Sequence, residues 1–311
     1  MDNKEISVTG IGNAIVDVIA CVDDEFIKTC NIAKGSMRLV CEDECRQLHS
    51  KIKAKKIISG GSVANTIAGL AMLGNKVAFI GKVRNDELGR KFAYELKKLS
   101  IIFKTKMVDE NYPPTASCIV LTTPDAQRTM NTFLGVAGML GPEDIDEEII
   151  INSKIIYIEG YLFDHESAVL AIKKAVNIAH NNNGKIAFSL SDSFCVERHR
   201  KKFLNFIKNN VDILFANEDE IKMLFEEKKF DNAIKNCHYT NTICALTRGS
   251  KGSVIVSGKE EIEVKAEKVQ IIDSTGAGDM YAAGFLHGLL LNKDLYLSAR
   301  MGNIIAADII T

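Results

Sequence analysis

Several features that would place this 311-residue chain in a specialised class are missing from its sequence. It has no excess of charge of either sign, since 39 Lys and Arg face 40 Asp and Glu, for a net charge of −1. A balanced chain has no general attraction to nucleic acid or to anionic membranes. The one dense basic run, residues 198–202, is expected to be the solvated face of a helix. No run of about 18 apolar residues exists, so no segment is expected to span a membrane.

Paired cysteines are missing as well. The eight cysteines are scattered and none forms a Cys-x-x-Cys pair. Cys41 and Cys45 could share a helix face, but no second pair at zinc-site spacing follows, so no metal site is predicted from them. We expect small apolar side chains in a reducing compartment. Residues 1–5 lack the basic and apolar stretches of a signal peptide, and the sequence therefore predicts a cytoplasmic protein.

Two common nucleotide-binding motifs are also missing. No Gly-x-x-x-x-Gly-Lys-Ser/Thr stretch occurs, which excludes a P-loop kinase. Gly10-Ile11-Gly12 follows the first predicted strand, but the third glycine of a dinucleotide-binding turn is missing and no helical pattern follows. This argues against a Rossmann oxidoreductase.

From about residue 154 onward, short apolar runs alternate with helical patterns. Continuous apolar runs are typical of strands covered on both faces. Helical patterns at about 166–182, 197–209 and 218–238 separate them, which predicts an α/β sandwich with a mainly parallel central sheet between two helical layers. The runs are Lys154–Glu159, Lys185–Leu190, Val211–Ala216 and Thr242–Thr247.

The first part of the chain is less regular. Segments of about 14–40 and 104–134 contain short alternating runs bounded by turn residues. We expect them to form a small second sheet that acts as a lid, within a single domain spanning residues 1–311. The other elements expected here are strands at Glu5–Ile11 and Lys76–Ile80 and a helix at Ser62–Leu73.

The strongest chemical signal is Gln270–Met280, QIIDSTGAGDM, which precedes a helical pattern at Tyr281–Leu291. Gly276, Ala277 and Gly278 leave backbone N–H groups uncovered at the first turn of that helix. Together with the helix dipole, these donors form a site for an anion. Asp279 could accept the proton of an attacking hydroxyl there, and phosphoryl transfer requires this kind of positioning. The alternative is a glycine-rich turn with Asp279 as a helix cap.

Two more motifs could contact a substrate. Gly60-Gly61 opens a helix and allows a ligand to approach the backbone, while Asn65, one turn later, offers an amide to hydroxyls. Asp17 follows the first strand and could accept hydrogen bonds from a diol. Alternatively, Ser62 caps a tight strand-to-helix turn and Asp17 is a turn residue.

Two further motifs follow later strands. Asn217 and Glu220 could order water around Mg²⁺, or could simply complement the dipole of the helix they begin. The stretch from Thr247 to Gly252 could face a nucleotide, or could be a hairpin turn into Ser253–Ser257.

With these pieces in this order, the chain resembles the ribokinase-like (PfkB-type) carbohydrate kinases from its first strand to its last residue. Residues 273–279, DSTGAGD, fit that family's D-x-x-G-A-G-D motif. The Gly-Gly-x-x-x-Asn, Asn-x-x-Glu and Thr-x-Gly-x-x-Gly elements at 60–65, 217–220 and 247–252 also match. The resemblance implies a sandwich with a lid, ATP and Mg²⁺ as cofactors, and direct transfer to a primary hydroxyl.

The resemblance also assigns a role to each matching residue. It implies Asp279 as the catalytic base, with the backbone of Gly276, Ala277 and Gly278 as an anion hole, and Glu220 as a Mg²⁺ contact through water. K⁺ activation occurs in parts of the family, and the sequence leaves it open, as it leaves open a monomer or a homodimer. The implied substrate contacts are Asp17, Gly61, Asn65, Asn13, Tyr161 and Phe194, and the implied ATP or phosphate contacts are Asn217, Thr247, Gly249, Gly252, Thr275 and Arg128.

Within the family, the N-terminal half is most similar to adenosine kinases. That likeness makes adenosine the first expected substrate, ahead of ribose, fructose or another sugar, with a non-catalytic nucleoside-binding protein as a further alternative. Tyr161, Leu162 and Phe194 are candidates to wall a flat base, or are equally core residues. Two departures stand out: Arg84 replaces a usual turn glycine, and the chain ends at residue 311, where we expect it to be inside the last helix.

The motif order predicts the behaviour of an Asp279→Ala variant. Phosphoryl transfer should be abolished while ATP still binds, because the anion hole is made of backbone groups. Initial-rate assays and ATP titrations of the same preparation test this. Near-normal turnover would show that Asp279 is not the base.

Overall fold

The computed structural model describes residues 4–125 and 127–311, in which the strands form two sheets. The larger sheet has the strand order β13-β12-β11-β10-β9-β8-β1-β5, and the smaller has β3-β7-β6-β2-β4. In chain order the strands are β1 (Ile6–Ile11), β2 (Ile15–Cys21), β3 (Met37–Leu39), β4 (Lys56–Gly60), β5 (Val77–Ile80), β6 (Ala116–Thr122), β7 (Arg128–Phe133), β8 (Ser153–Glu159), β9 (Lys185–Ser189), β10 (Ile213–Asn217), β11 (Ile243–Thr247), β12 (Ser253–Ser257) and β13 (Glu260–Val264).

Helices cover both faces of the larger sheet. None of those described is long and apolar enough to cross a membrane. In chain order they are α1 (Asp24–Thr29), α2 (Glu42–Lys51), α3 (Ser62–Met72), α4 (Glu87–Lys98), α5 (Glu147–Ile151), α6 (Glu166–Asn181), α7 (Ser193–Asn210), α8 (Glu218–Phe225), α9 (Phe230–Cys237), α10 (Ala277–Leu290) and α11 (Leu295–Ile309).

The larger sheet is mainly parallel, as the apolar runs predicted. Strands β5, β1, β8, β9, β10 and β11 pair in parallel, and β12 and β13 extend the sheet as antiparallel strands. One core lies between this sheet and α5 to α9, and a second lies between it and α3, α4, α10 and α11. The fold is therefore the expected α/β sandwich, in which apolar strands bury both faces.

The smaller sheet is the predicted lid. Strands β2, β6 and β7 come from the two expected segments, and β4 is an additional strand that the sequence patterns did not indicate. Its outer face packs against α1 and α2 around Val18, Ile119 and Leu48. Because side chains alternate across a strand, Asp17 on β2 lies on the opposite face.

The structure corrects one helix boundary and one expectation about the chain end. The helix predicted at 218–238 is two helices, since Glu226 adopts a left-handed conformation with φ of 55° and ends α8. A left-handed residue interrupts the helical hydrogen bonds, and hydrophobic periodicity does not reveal it. The last helix ends at Ile309, so the chain does not stop inside it.

The turn that contains Arg84 forms without the usual glycine. The Arg84 Nε atom donates to Asp86 over 3.0 Å and its guanidinium also donates to the Tyr112 carbonyl. Arg84 is not among the described residues with positive φ, so the substitution needs no left-handed backbone there. The glycine that the turn does require is Gly89, where a Cβ would lie 1.9 Å from the Arg84 carbonyl oxygen.

Candidate active site

The candidate site lies where four parallel strands end beneath the lid. Strands β8 to β11 end at Glu159, Ser189, Asn217 and Thr247. In open α/β sheets, ligands bind outside the carboxyl ends of the strands. The last three of these residues, together with Gly278 and Asp279 from α10, line a cavity of about 290 Å³. The sheet therefore brings together motifs that are far apart in the sequence.

The N-terminus of α10 presents free backbone donors to this cavity. Gly276 precedes the helix with φ of 77°, a left-handed conformation that favours glycine. Within the described residues, the amides of Gly276 and Gly278 donate to no protein acceptor, and a Cβ at either position would meet open space. The Ala277 amide makes one long bond of 3.3 Å to Ser274. This arrangement can bind an anion, as the spacing suggested.

Asp279 is held by hydrogen bonds from α3 and does not cap its own helix. The Ser62 hydroxyl donates to one carboxylate oxygen over 2.6 Å, and the Asn65 amide donates to the other over 3.0 Å. Burial raises the pKa of Asp279 to about 6, and these two hydrogen bonds oppose the rise. A carboxyl group with this pKa is ionised at neutral pH and can accept a proton.

Ser62 and Asn65 both donate to Asp279. Ser62 does not cap α3, because Gly61 holds the N-cap position with φ of 93°. A Cβ on Gly61 would lie 2.5 Å from the Asn13 carbonyl oxygen, so two segments of the chain approach each other closely at this glycine. The substrate contacts predicted for Gly61 and Asn65 stay predictions.

Glu159 is a site residue that the sequence analysis missed. It is 1% exposed, and its carboxylate accepts hydrogen bonds from the backbone and side-chain amides of Asn13 and from the Val63 amide. Burial raises the pKa of Glu159 to about 7. Glu159 therefore joins the segment leading to Asp17 to the first turn of α3. The sequence signal that could have identified Glu159 is its position as a carboxylate at the end of an apolar strand.

Asn13 is consequently buried rather than open to solvent. Its side chain is 2% exposed and donates to Glu159 over 2.8 Å, while its Oδ1 atom has no hydrogen-bond partner among the described residues. The substrate contact predicted for Asn13 stays a prediction.

The lid contributes two charged side chains. Asp17 is half-buried on the inner face, and burial raises its pKa to about 6, with the Arg128 charge opposing the rise and the Asp279 charge adding to it. Arg128 forms an ion pair with Asp273 and donates to the Thr275 hydroxyl over 3.0 Å. The lid therefore meets the loop before α10 directly above the free amides.

Asn217 and Glu220 form a capping box at the start of α8. The Asn217 side chain accepts from the Asp219 and Glu220 amides, and Glu220 accepts from the Asn217 amide and side chain. Both also line the cavity beside Asp279. Burial raises the pKa of Glu220 to about 7. Among the described residues, no group of three or more His, Cys, Asp or Glu is placed to hold a metal ion. Mg²⁺ usually keeps several of its waters, and Asn217 and Glu220 could contact it through them.

A second cavity of about 940 Å³ opens on the other side of Gly278. Thr247, Gly249 and Gly252 line it, so the hairpin between β11 and β12 is both a turn and a cavity wall. A Cβ on Gly252 would lie 2.1 Å from the Val264 carbonyl oxygen, and its φ of 92° also requires glycine. Apolar groups from Ile271, Ala307 and neighbouring residues complete the walls.

The three residues predicted to wall a flat base lie in different environments. The Tyr161 hydroxyl donates to Asp192, and Leu162 is buried in the core. Phe194 is 68% exposed and lies at the second position of α7, just after the Asp192 cap. The contact of Tyr161 and Phe194 with a base stays a prediction.

Comparison with known proteins agrees with this geometry. The family model "pfkB family carbohydrate kinase" matches residues 30–311. This chain belongs to the PfkB family of carbohydrate kinases. Members of that family are phosphotransferases that act on alcohol groups, and membership implies ATP as the donor, usually with Mg²⁺.

Three relatives show the range of names within the family. An adenosine kinase structure from Sinorhizobium meliloti is 42% identical, covers 98% of this chain and 94% of its own, and has a TM-score of 0.92. A probable sugar kinase structure from Rhizobium etli is 36% identical, covers 99% and 93%, and has a TM-score of 0.93. A 5-dehydro-2-deoxygluconokinase from Listeria monocytogenes is 27% identical over 81% of this chain and 80% of its own.

The hydrogen bonds to Asp279 predict the acidic limb of the pH profile. Because the pKa of Asp279 is about 6 and the base must be ionised, kcat/KM should fall about tenfold per pH unit below that value. Asn65→Ala removes a bond that lowers this pKa, so the limb should move to higher pH. Rates from pH 5 to 8 test this, with Asn75→Ala, three residues beyond the end of α3, as a control. An unmoved limb would contradict it.

The buried contacts of Glu159 predict the stability of a Glu159→Gln variant. At least one of the three N–H groups that donate to Glu159 loses its acceptor in the variant. This loss should lower the free energy of unfolding by about 1–3 kcal/mol. Because the pKa of Glu159 is raised, the stability it contributes is present at low pH and is lost as pH rises through about 7. The difference between wild type and variant should therefore be greater at pH 5 than at pH 8.

Denaturant titrations at both pH values measure this difference. Glu197→Gln, an exposed glutamate of α7, is the matched control and should change neither value. A larger difference at pH 8 would mean that the pKa of Glu159 is not raised.

Proposed function

We propose that this kinase transfers the γ-phosphoryl group of ATP to the 5′-hydroxyl of adenosine. The observation that carries the proposal is the inner face of the lid, where Asp17 lies in a surface that is otherwise largely apolar. The 42% identity to an adenosine kinase supports it.

The inner face is defined by the strand register. Asp17 is level with Cys118, Thr132 and Leu39 on the neighbouring strands. A second row crosses the same four strands two residues further along β2. It consists of Ile19, Val120, Met130 and Met37. A carboxylate suits the hydroxyls of a ribose, and the apolar side chains around it suit an uncharged ring system. This surface would add to the wall expected from Tyr161 and Phe194.

A sugar acid is the second candidate, because the curated relatives include 5-dehydro-2-deoxygluconokinases. A substrate carboxylate would need a free cation. The basic side chains on the inner-face positions of the lid strands are Arg128, paired with Asp273, and Lys56 at an exposed end. Nearby Lys82 is paired with Asp144. This pairing favours the neutral nucleoside.

In the proposed reaction, Asp279 accepts the proton of the 5′-hydroxyl as the hydroxyl oxygen attacks the γ-phosphorus of ATP. The bond from that phosphorus to the β,γ-bridging oxygen breaks, and ADP leaves. Ser62 and Asn65 orient the carboxylate, and the free amides of Gly276 and Gly278 stabilise charge on the transferring group. The Arg128–Asp273 pair holds the lid beside these amides. Glu220 and Asn217 would hold Mg²⁺ through water, and the ion would neutralise charge on the donor phosphates.

The larger cavity would hold the nucleoside part of ATP, with Thr247, Gly249 and Gly252 as its wall. We place the activity in the cytoplasm, because all eight cysteines are free thiols.

An ADP-release screen tests the proposal. Adenosine, inosine, ribose, fructose and 5-dehydro-2-deoxygluconate are compared at equal concentration with ATP and Mg²⁺. We expect kcat/KM for adenosine to exceed that for every sugar by about 100-fold, which corresponds to about 2.7 kcal/mol of extra transition-state binding from the base. A sugar or sugar acid as the best substrate would contradict the assignment.

An Asp17→Ala variant separates substrate from donor binding in the same assay. The KM for adenosine should rise at least tenfold while the KM for ATP changes less than twofold. Equal loss for both ligands would place Asp17 outside the substrate site.

A further inference from the structure

A groove separates α6 from α7. These two helices belong to the helical layer on the other face of the larger sheet from α3 and α10. Both helices pack on the 3₁₀ segment Gly160–Asp164 and make little direct contact with each other. The space between them has a volume of about 480 Å³, within the range of small-molecule sites. It belongs to neither cavity of the kinase site. We call it the α6–α7 groove.

The floor of the groove is apolar and partly aromatic. Ile172 and Val176 come from α6, Phe206 from α7, and Phe163 from the segment beneath. Phe163 and Phe206 pack edge to face, with their ring centroids 5.4 Å apart. Such a floor offers ring edges and faces to an aromatic group.

The rim of the groove is positive. Lys173 of α6 and Lys202 of α7 line it from opposite sides, and neither forms an ion pair with any described residue. No acidic side chain appears among its described lining residues. The neighbouring cations differ, since Arg198 pairs with Asp164 and Arg200 with Glu226. Two uncompensated lysines match the charge of a phosphate monoester, which is close to −2 at neutral pH.

Three amide side chains also line the groove, two of them exposed and one half-buried. Asn177 comes from α6, and Asn205 and Asn210 come from α7. Their amide groups can donate to and accept from polar ring atoms. We propose that the α6–α7 groove binds an aromatic phosphate monoester, with its ring on the apolar floor and its phosphate between Lys173 and Lys202. The basic run that includes Lys202 is thus partly a binding surface, in addition to a solvated helix face.

Calorimetric titration with phenyl phosphate tests the proposal. The variant is Lys173→Ala/Lys202→Ala, and the matched control is Lys201→Ala/Lys208→Ala, which removes the same charge from exposed lysines that do not line the groove. We expect the groove variant to lose a binding component, with at least tenfold weaker affinity, and the control to stay within twofold of wild type. Comparing the two variants isolates binding at the groove, because the anion-binding start of α10 is unchanged in both of them.

Fragments of the probe test the two halves of the site. Inorganic phosphate and phenol should each bind the groove at least tenfold more weakly than phenyl phosphate. A 5′-AMP titration identifies the source of the ligand: variant-sensitive binding tighter than that of phenyl phosphate indicates a nucleotide, and weaker binding indicates a simpler ester. Equal losses in both lysine variants, or no loss in either, would overturn the proposal. So would inorganic phosphate that binds as tightly as phenyl phosphate.

Discussion

The hydrogen bonds from α3 to Asp279 are the contact on which the rest of the site depends. A buried carboxylate is costly unless donors compensate for lost water, and Ser62 and Asn65 supply that compensation from a helix packed beside α10. Because both helices lie in one layer against the sheet, Asp279 and the free amides at the start of α10 keep a fixed relation. The groups to which we assign the chemistry are thus positioned by packing within the protein itself.

The lid is attached to the rest of the fold by the packing of β2 and β4 against α4 and by polar contacts. Glu159 holds the segment that leads into β2, and Asp86 accepts from the backbone and hydroxyl of Thr115 just before β6. Gly135, with φ of 45°, follows β7 and lets Val136 bond to the Pro114 carbonyl. Asp17 and Arg128 therefore reach the cleft from a sheet whose own core, around Val18 and Ile119, is separate from the main one.

Local sequence patterns identified the strands in which consecutive residues are apolar and buried. Strands β8 to β11 were predicted within about three residues because their apolar runs are covered on both faces. The division of the 218–238 helix at Glu226 was missed, since a left-handed residue leaves no trace in hydrophobic spacing. Strand β4 was missed for another reason: it lies beside β2, and that pairing depends on a segment distant in sequence.

The sequence by itself determined the α/β class, the lid segments and the motif DSTGAGD with Asp279, because each follows from local periodicity or from a short run of residues. Only the tertiary structure showed that Ser62 and Asn65 hold that aspartate, that Glu159 joins Asn13 to α3, and that Arg128 meets Asp273. These are side-chain contacts between residues up to 217 positions apart. Such contacts exist only after the sheet and its helices have packed, and no local pattern encodes them.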